Sequence, residues 1–304
     1  MLALACAACT REAISLGAGR GDAAAADDAS AEADVGEVDA GMADAGMAES
    51  QFSEPQRVAN IGVDGGRDDD PSLSADLTLL FFNSRREGGE GREDIWFSTR
   101  AAPNQEWSAP RPVEELNTEE RETGISLAPD GLSLWFSSDR SGGAGGLDVY
   151  VSTRAARDQS WGAPERVPEL CSEDDDLISS IADAGRTAYL ARRDDDGDYD
   201  LYVALRASST AAFSAPEPMA ELNSSAEESD AFPFEAGRKL VLTRAEDLWL
   251  AERASRSEPF ALRGPLEELN SDGDDRDAWF SQDGRYVVFA SDRDGNTALF
   301  EASR

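Results

Sequence analysis

The chain has 304 residues, 62 acidic against 28 basic side chains, a formal net charge of −34 and no histidine. The absence of imidazole excludes nucleophiles that a histidine activates, and it excludes histidine ligands for zinc or haem iron. The acid excess predicts no nucleic-acid partner, because affinity for DNA and RNA comes largely from neutralising phosphates.

Residues 1–9, MLALACAAC, form a short apolar run that resembles the end of a bacterial lipoprotein signal peptide. The resemblance implies lipidation of one of two cysteines, Cys6 or Cys9. The run lacks a basic start and is shorter than a full signal, so an ordinary unstructured N-terminus is the alternative. Further along the sequence, no apolar stretch of about 18 residues occurs, and we expect no transmembrane helix.

Residues 10–50 are rich in Ala, Asp, Glu and Gly and contain no aromatic residue. Such a segment cannot bury enough apolar surface to offset the entropy lost on ordering, which predicts a disordered acidic linker. An Ala-rich helix is the alternative, although scattered Gly and Asp weaken it. Cys171 then stands alone without a histidine to activate it, and we interpret it as a small buried residue.

From residue 51 onward the sequence repeats five times with a period of roughly 50 residues. The units share an aromatic-Ser/Gly-x-Pro stretch, a Leu-Asn step, a tight turn such as Ala128-Pro-Asp-Gly131, and a strand with an Asp-aliphatic-aromatic pattern such as Asp148-Val-Tyr150. The copy near Phe260 lacks the Pro, and the copy at Ala298-Leu-Phe300 lacks the Asp. Asp-Gly between apolar runs is a strong hairpin signal. About four short strands per unit and no helical period predict an all-β fold, a five-bladed β-propeller of residues 51–304 with four-stranded antiparallel blades.

The two ends of the repeat region predict how the ring closes. The chain begins it with an aromatic-Pro stretch at Phe52 and finishes at Arg304, after the last strand of the Asp-aliphatic-aromatic type. The last unit therefore lacks its fourth strand, and we expect the N-terminal strand to supply it and remove an exposed sheet edge. A six-bladed ring would require a further unit that the sequence does not contain.

The segment from Leu127 to Arg140 and the Gly-rich stretch that follows resemble the TolB-type, WD-repeat-like propeller repeats of bacterial envelope proteins. The resemblance implies a non-enzymatic binding or scaffold module for an envelope protein or a glycan, on the periplasmic or surface side of the cell envelope. Together with the lipoprotein-like start, it implies a lipid anchor in the outer membrane, and we expect a monomer. Fold resemblance alone does not give function.

One acid recurs in every unit, eight residues before the turn position held by Asp130. The five acids are Asp68, Glu122, Asp176, Glu228 and Asp275. They come just before the innermost predicted strand, where they can surround one mouth of the central channel and bind calcium or another hard cation. The alternative is structural: each carboxylate accepts hydrogen bonds from the backbone or from Ser and Thr.

Two further functions stay open beside the scaffold. Five-bladed propellers can host glycoside hydrolases that use central carboxylates, but such sites need unlike acids in unlike environments, whereas these acids recur with the repeat. A calcium-dependent adhesion module is the other alternative. We predict no catalytic residue, no organic cofactor, and ion pairs between the strand-end arginines and nearby aspartates. Those arginines are Arg100, Arg154, Arg206, Arg253 and Arg304.

Overall fold

The computed structural model describes residues 51–63, 65–193 and 197–304. The predicted signal segment 1–9 with Cys6 and Cys9, and the predicted linker 10–50, lie outside the described residues. The described residues belong to one compact unit.

The described chain is built from twenty strands in five four-stranded antiparallel sheets. In chain order the strands are β1 (Gln56–Arg57), β2 (Asp68–Leu73), β3 (Leu79–Ser84), β4 (Asp94–Thr99), β5 (Arg111–Pro112), β6 (Glu122–Leu127), β7 (Ser133–Ser138), β8 (Asp148–Thr153), β9 (Glu165–Arg166), β10 (Asp176–Ala182), β11 (Thr187–Arg193), β12 (Tyr199–Leu205), β13 (Glu217–Pro218), β14 (Glu228–Phe234), β15 (Lys239–Arg244), β16 (Asp247–Glu252), β17 (Ala261–Pro265), β18 (Asp275–Phe280), β19 (Tyr286–Ser291) and β20 (Ala298–Ser303). Two single-turn 3₁₀ helices cover Pro168–Leu170 and Glu235–Gly237. Among the described residues, none of the helices is long and apolar enough to cross a membrane.

The sheets are the predicted blades of a propeller. Their strand orders are β2-β3-β4-β5, β6-β7-β8-β9, β10-β11-β12-β13, β14-β15-β16-β17 and β18-β19-β20-β1. The first strands of the blades contact one another in sequence, and β18 returns to β2, so these five strands surround the axis. The predicted five-bladed fold is confirmed.

The N-terminal strand closes the ring as predicted. Gln56 and Arg57 of β1 pair antiparallel with Glu301 and Phe300 of β20, the third strand of the fifth blade. Just before this short strand, Phe52 is buried and meets Phe280 edge-on, with ring centroids 5.9 Å apart. The contact fixes the first segment of the chain on the last blade.

The hydrophobic core lies within and between the blades. The second strands of the blades are buried on both faces, and their central aromatic residues Phe82, Phe136 and Phe289 have no exposed surface. Between blades, Trp135 of the second packs edge-on against Phe213 of the third, with ring centroids 6.0 Å apart. Buried apolar area of this kind is the main stabilising contribution to the ring.

The strand-end arginines have partners other than those predicted. Arg154 stacks on the Trp161 ring at 4.2 Å, and its Nε donates to the Gly131 carbonyl at 2.8 Å. Arg100, Arg206 and Arg253 repeat this arrangement of an aromatic ring and a turn carbonyl. The prediction that they pair with aspartates is wrong for these four, because an aromatic ring lies beneath each guanidinium: Trp107, Trp161, Phe213 and Phe260.

Candidate functional site

The five repeated acids are each the first residue of an innermost strand. All five have no exposed surface. The sequence predicts them just before these strands, one residue earlier in the fold than the structure places them. They are Asp68 on β2, Glu122 on β6, Asp176 on β10, Glu228 on β14 and Asp275 on β18.

Each repeated acid is bound within its own blade, and four of them, all except Asp68, also accept hydrogen bonds from the segment just before them. The Glu122 carboxylate accepts hydrogen bonds from the backbone N–H of Thr118 at 3.0 Å, its hydroxyl at 2.7 Å, Ser138 Oγ at 2.9 Å and Arg140 Nη2 at 3.0 Å. The other four acids also face an arginine on the neighbouring strand or loop of their blade. The pairs are Asp68–Arg86, Asp176–Arg192, Glu228–Arg244 and Asp275–Arg293.

These bonds make the acids a repeated structural element. Burial raises the pKa of Asp68, Glu122 and Asp176, while the arginine and hydroxyl partners lower it and favour the charged form. None of the five belongs to a group of three acids whose oxygens approach within 4.8 Å among the described residues. The structural alternative therefore accounts for their contacts, and a cation held by these five stays a prediction.

The Leu-Asn step has a structural role as well. In the first blade the Asn117 side chain accepts from the Ile95 N–H at 2.8 Å and donates to the Ile95 carbonyl at 3.1 Å. Cys171 takes the corresponding place in the second blade, with its Sγ 3.8 Å from the Val149 carbonyl. Burial raises the pKa of the Cys171 thiol to about 12, so the group is a thiol and not a thiolate at neutral pH.

A β-bulge interrupts the innermost strand of every blade just beyond the repeated acid. In four blades the residue two positions after that acid has a left-handed backbone, with φ between 50° and 60°. The four residues are Asp70, Gly124, Asp230 and Asp277. Left-handed backbone favours Gly, Asn and Asp, which explains the residue types found there. Bulges also redirect side chains, so these positions differ in orientation from the rest of the strand.

Three of the bulge residues are aspartates that converge at the propeller axis. Asp70, Asp230 and Asp277 each place one carboxylate oxygen within 4.8 Å of the others. They line a cavity together with residues from all five innermost strands, including Ile125 of β6 and Ser179 of β10. We call these three residues the axial triad. Within this cavity, the volume that the centre of a water molecule can occupy is about 20 Å³. That is enough for one water molecule or one ion.

Neighbouring blades hold the axial triad in place. Asp70 Oδ2 accepts from Thr123 Oγ1 and from the Gly124 N–H, both at 2.7 Å. Asp277 Oδ2 accepts from the Asp70 N–H at 3.4 Å and lies 3.8 Å from Arg276 Nε. Asp230 accepts from the hydroxyl of Ser229. The triad therefore depends on ring closure, because its members come from the first, fourth and fifth blades.

The electrostatics of the axial triad disfavour three charges together. Burial and then the charges of Asp69 and Asp230 raise the pKa of Asp70 to about 7. Burial, followed by the charges of Asp230, Asp70 and Asp69, raises the pKa of Asp277 well above its usual value. Like charges crowded in a poorly solvated cavity have this effect unless a cation compensates them.

The sequence-based prediction missed the axial triad. It identified the acid at the start of each innermost strand but not the residue two positions later. A signal was present: that position holds Asp70, Gly124, Asp230 and Asp277 in four units, and Asp alternating with Gly is typical of left-handed backbone. Ile178 holds it in the third unit.

Comparison with known proteins identifies the fold. No protein-family model matches the sequence, and no curated protein matches it. By structure the chain is similar to a thermostable family-43 glycoside hydrolase, with a TM-score of 0.55 and 11% identity over 82% of this chain and 91% of that one. It is also similar to an alpha-L-arabinofuranosidase from Podospora anserina, in complex with cellotriose, with a TM-score of 0.51 and 14% identity over 82% and 94% of the two chains.

A putative TolB from Agrobacterium tumefaciens is similar with a TM-score of 0.47 and 15% identity, over 74% of this chain and 69% of that one. All these identities are low, so the likeness concerns the fold alone. The fold that the resemblance to TolB-type repeats implies, a β-propeller, is confirmed by the five blades of the structure itself.

Proposed function

We propose that the chain is a non-enzymatic β-propeller that binds a protein or glycan partner at the cell envelope. The main support is that its repeated acids already have partners inside the protein. The carboxylates of the five acids that recur in every blade accept internal hydrogen bonds and face arginines, as Glu122 does with Arg140. The axial cavity has room for one water or ion, not for a sugar ring.

A recess on the fourth blade offers a binding surface. It has a volume of about 440 Å³ and is lined by Asp247, Pro265, Glu267, Asn270, Ser271 and Asp272. Burial and the charges of Asp275 and Glu267 raise the pKa of Asp247, so negative potential is concentrated there. Carboxylates accept hydrogen bonds both from basic side chains and from sugar hydroxyl groups, which suits either class of partner.

The test is capture by the full chain of partners from envelope extract and from a set of purified envelope glycans. A variant with Asp247→Asn and Glu267→Gln removes two charges from the recess. The matched control is Glu119→Gln, because Glu119 is exposed on another blade. We expect the recess variant to lose capture while the control keeps it. Equal capture by the two would contradict binding at the recess.

Glycoside hydrolysis is the second candidate, and the axial triad is the observation that favours it. Unlike the repeated acids, these three occur in only some blades, and Phe232 and Trp279 line the same cavity. Against it, their oxygens lie within 4.8 Å, closer than the roughly 5–5.5 Å or 6.5–9.5 Å that separate the carboxyl groups of retaining and inverting enzymes.

The two candidates differ in measurable turnover. The wild-type chain is incubated with arabinan, xylan and fructan, and reducing ends are measured. The scaffold predicts no turnover by the wild type. Turnover that Asp277→Asn abolishes, while Glu119→Gln preserves it, would establish the hydrolase instead.

A further inference from the structure

We propose that the axial triad, Asp70, Asp230 and Asp277, is a calcium site that joins the first, fourth and fifth blades at the propeller axis. It is distinct from the five repeated acids, and it stands whether or not the chain binds an envelope partner. Calcium takes six to eight oxygen ligands at roughly 2.3–2.6 Å, so two ligands on opposite sides of the ion lie about 4.6–5.2 Å apart. The triad oxygens, within 4.8 Å of one another, match this size.

Unpartnered oxygens beside the triad provide a second and independent indication of a ligand. Ser179 Oγ lies in the wall of the same cavity, is closed to solvent, and has no hydrogen-bond partner among the described residues. Asp69 Oδ1 is also buried without a described partner, on a side chain only 8% exposed. Such groups carry a desolvation cost that a bound cation removes.

The repeat indicates where Asp69 points. Thr123 directly follows the repeated acid of the second blade, and its hydroxyl donates to the axial residue of the preceding blade, Asp70, at 2.7 Å. Asp69 occupies the same position in the first blade, and from the repeat we infer that its carboxylate lies on the side of the axial residue of the fifth blade, Asp277. The backbone N–H of Asp70, the residue after Asp69, donates to Asp277 Oδ2 at 3.4 Å, which agrees with this placement.

The charges near the axis leave room for one divalent cation. The triad and Asp69 are four carboxylates, and two guanidinium groups face them: Arg67, 2.8 Å from Asp69, and Arg276, 3.8 Å from Asp277. Arg276 is also 3.8 Å from Asp274 and shares its charge with that carboxylate, so at least two negative charges remain in excess. One divalent ion neutralises them, which relieves the repulsion that otherwise disfavours three ionised aspartates.

The size of the cavity favours calcium over magnesium. Magnesium usually keeps several of its waters, whereas calcium exchanges its hydration shell for protein oxygens more readily. The cavity has about 20 Å³ for the centre of a water molecule, too little for an ion that retains a hydration shell.

The first experiment is isothermal titration of the chelator-treated full chain with calcium chloride, up to the millimolar range in which extracellular calcium modules bind. We expect one site in the wild type, at least tenfold weaker binding in Asp230→Asn, and unchanged binding in Asp158→Asn, a matched change at an exposed turn. Absence of binding by the wild type, or equal weakening in the two variants, would overturn the proposal.

A second measurement does not depend on removing a ligand. Trp279 lines the cavity, so terbium bound there is excited by energy transfer from its indole. We expect terbium emission on excitation of tryptophan, its displacement by calcium, and a marked loss of emission in Trp279→Phe. Emission that Trp279→Phe leaves at the wild-type level would place the ion elsewhere and refute the axial site.

Discussion

Replacing Glu122 by glutamine tests whether the repeated acids are structural. Glu122 has no exposed surface and accepts four hydrogen bonds, one of them from the guanidinium of Arg140, whose side chain is 15% exposed. Glutamine keeps the shape, but it removes the negative charge and turns one oxygen into a donor that faces other donors. Breaking a buried ion pair by changing one partner costs about 3–5 kcal/mol.

The expected loss is large relative to the stability of a domain, which is about 5–15 kcal/mol. For a domain of this size it lowers the melting temperature by roughly 6–20 °C. Urea unfolding followed by tryptophan fluorescence measures the free energy, and circular dichroism measures the melting temperature. Glu119→Gln is the control, because Glu119 lies three residues away and is exposed; we expect it to stay within about 0.5 kcal/mol of the wild type.

A double-mutant cycle with Arg140→Met separates the ion pair from the other hydrogen bonds of Glu122. We expect the losses in free energy of unfolding of the two single variants to add up to more than the loss of the double variant. The reason is that a buried charge without its partner exists only in the single variants. If Glu122→Gln unfolds within about 0.5 kcal/mol of the wild type, the structural explanation of the repeated acids is refuted.

Three other predictions concern the frame of the propeller. Arg154→Lys should lower the free energy of unfolding by about 1 kcal/mol, because lysine lacks the planar group that stacks on Trp161, and denaturant unfolding measures this; an unchanged value would contradict the stacking. In a chain whose other two cysteines are serine, native Cys171 should resist iodoacetamide at pH 8 and react after unfolding, because its raised pKa of about 12 keeps it protonated; rapid native labelling, read by mass spectrometry, would contradict this. Removal of residues 1–50 should preserve cooperative melting, whereas removal of 1–57 also deletes β1, opens the fifth blade and should lower the melting temperature sharply; equal melting would contradict closure by β1.

The fold could be predicted from the sequence because its determinants are local and repeated. Turn residues such as Asp130 and Gly131 mark the hairpins, and the period of the units gives the number of blades. Ring closure followed from a simple comparison of the two ends of the repeat region, since an incomplete last unit needs a strand from elsewhere.

The axial triad could not be predicted in the same way because its geometry is not local. Asp70 and Asp277 are 207 residues apart and meet only after the ring has closed. Their side chains reach the axis because a bulge with left-handed backbone changes the direction of the strand, and the alternation of an ideal strand does not include that step. Sequence alone also could not show that the Glu122 carboxylate has hydrogen-bond partners within its own blade, since Ser138 and Arg140 lie on the next strand and loop.

The comparison of the two sets of acids indicates where a propeller of this kind carries its specific chemistry. A residue that recurs in every blade has the same role in each of them. The arginine and hydroxyl partners of Glu122 show that this role is to stabilise its own blade. A site needs ligands that converge on one point, and at the axis the repeat brings one position of each blade together. Glycine and isoleucine at that position in the second and third blades confine the carboxylates to one side of the axis. The departure from the repeat, and not the repeat, therefore defines the candidate cation site.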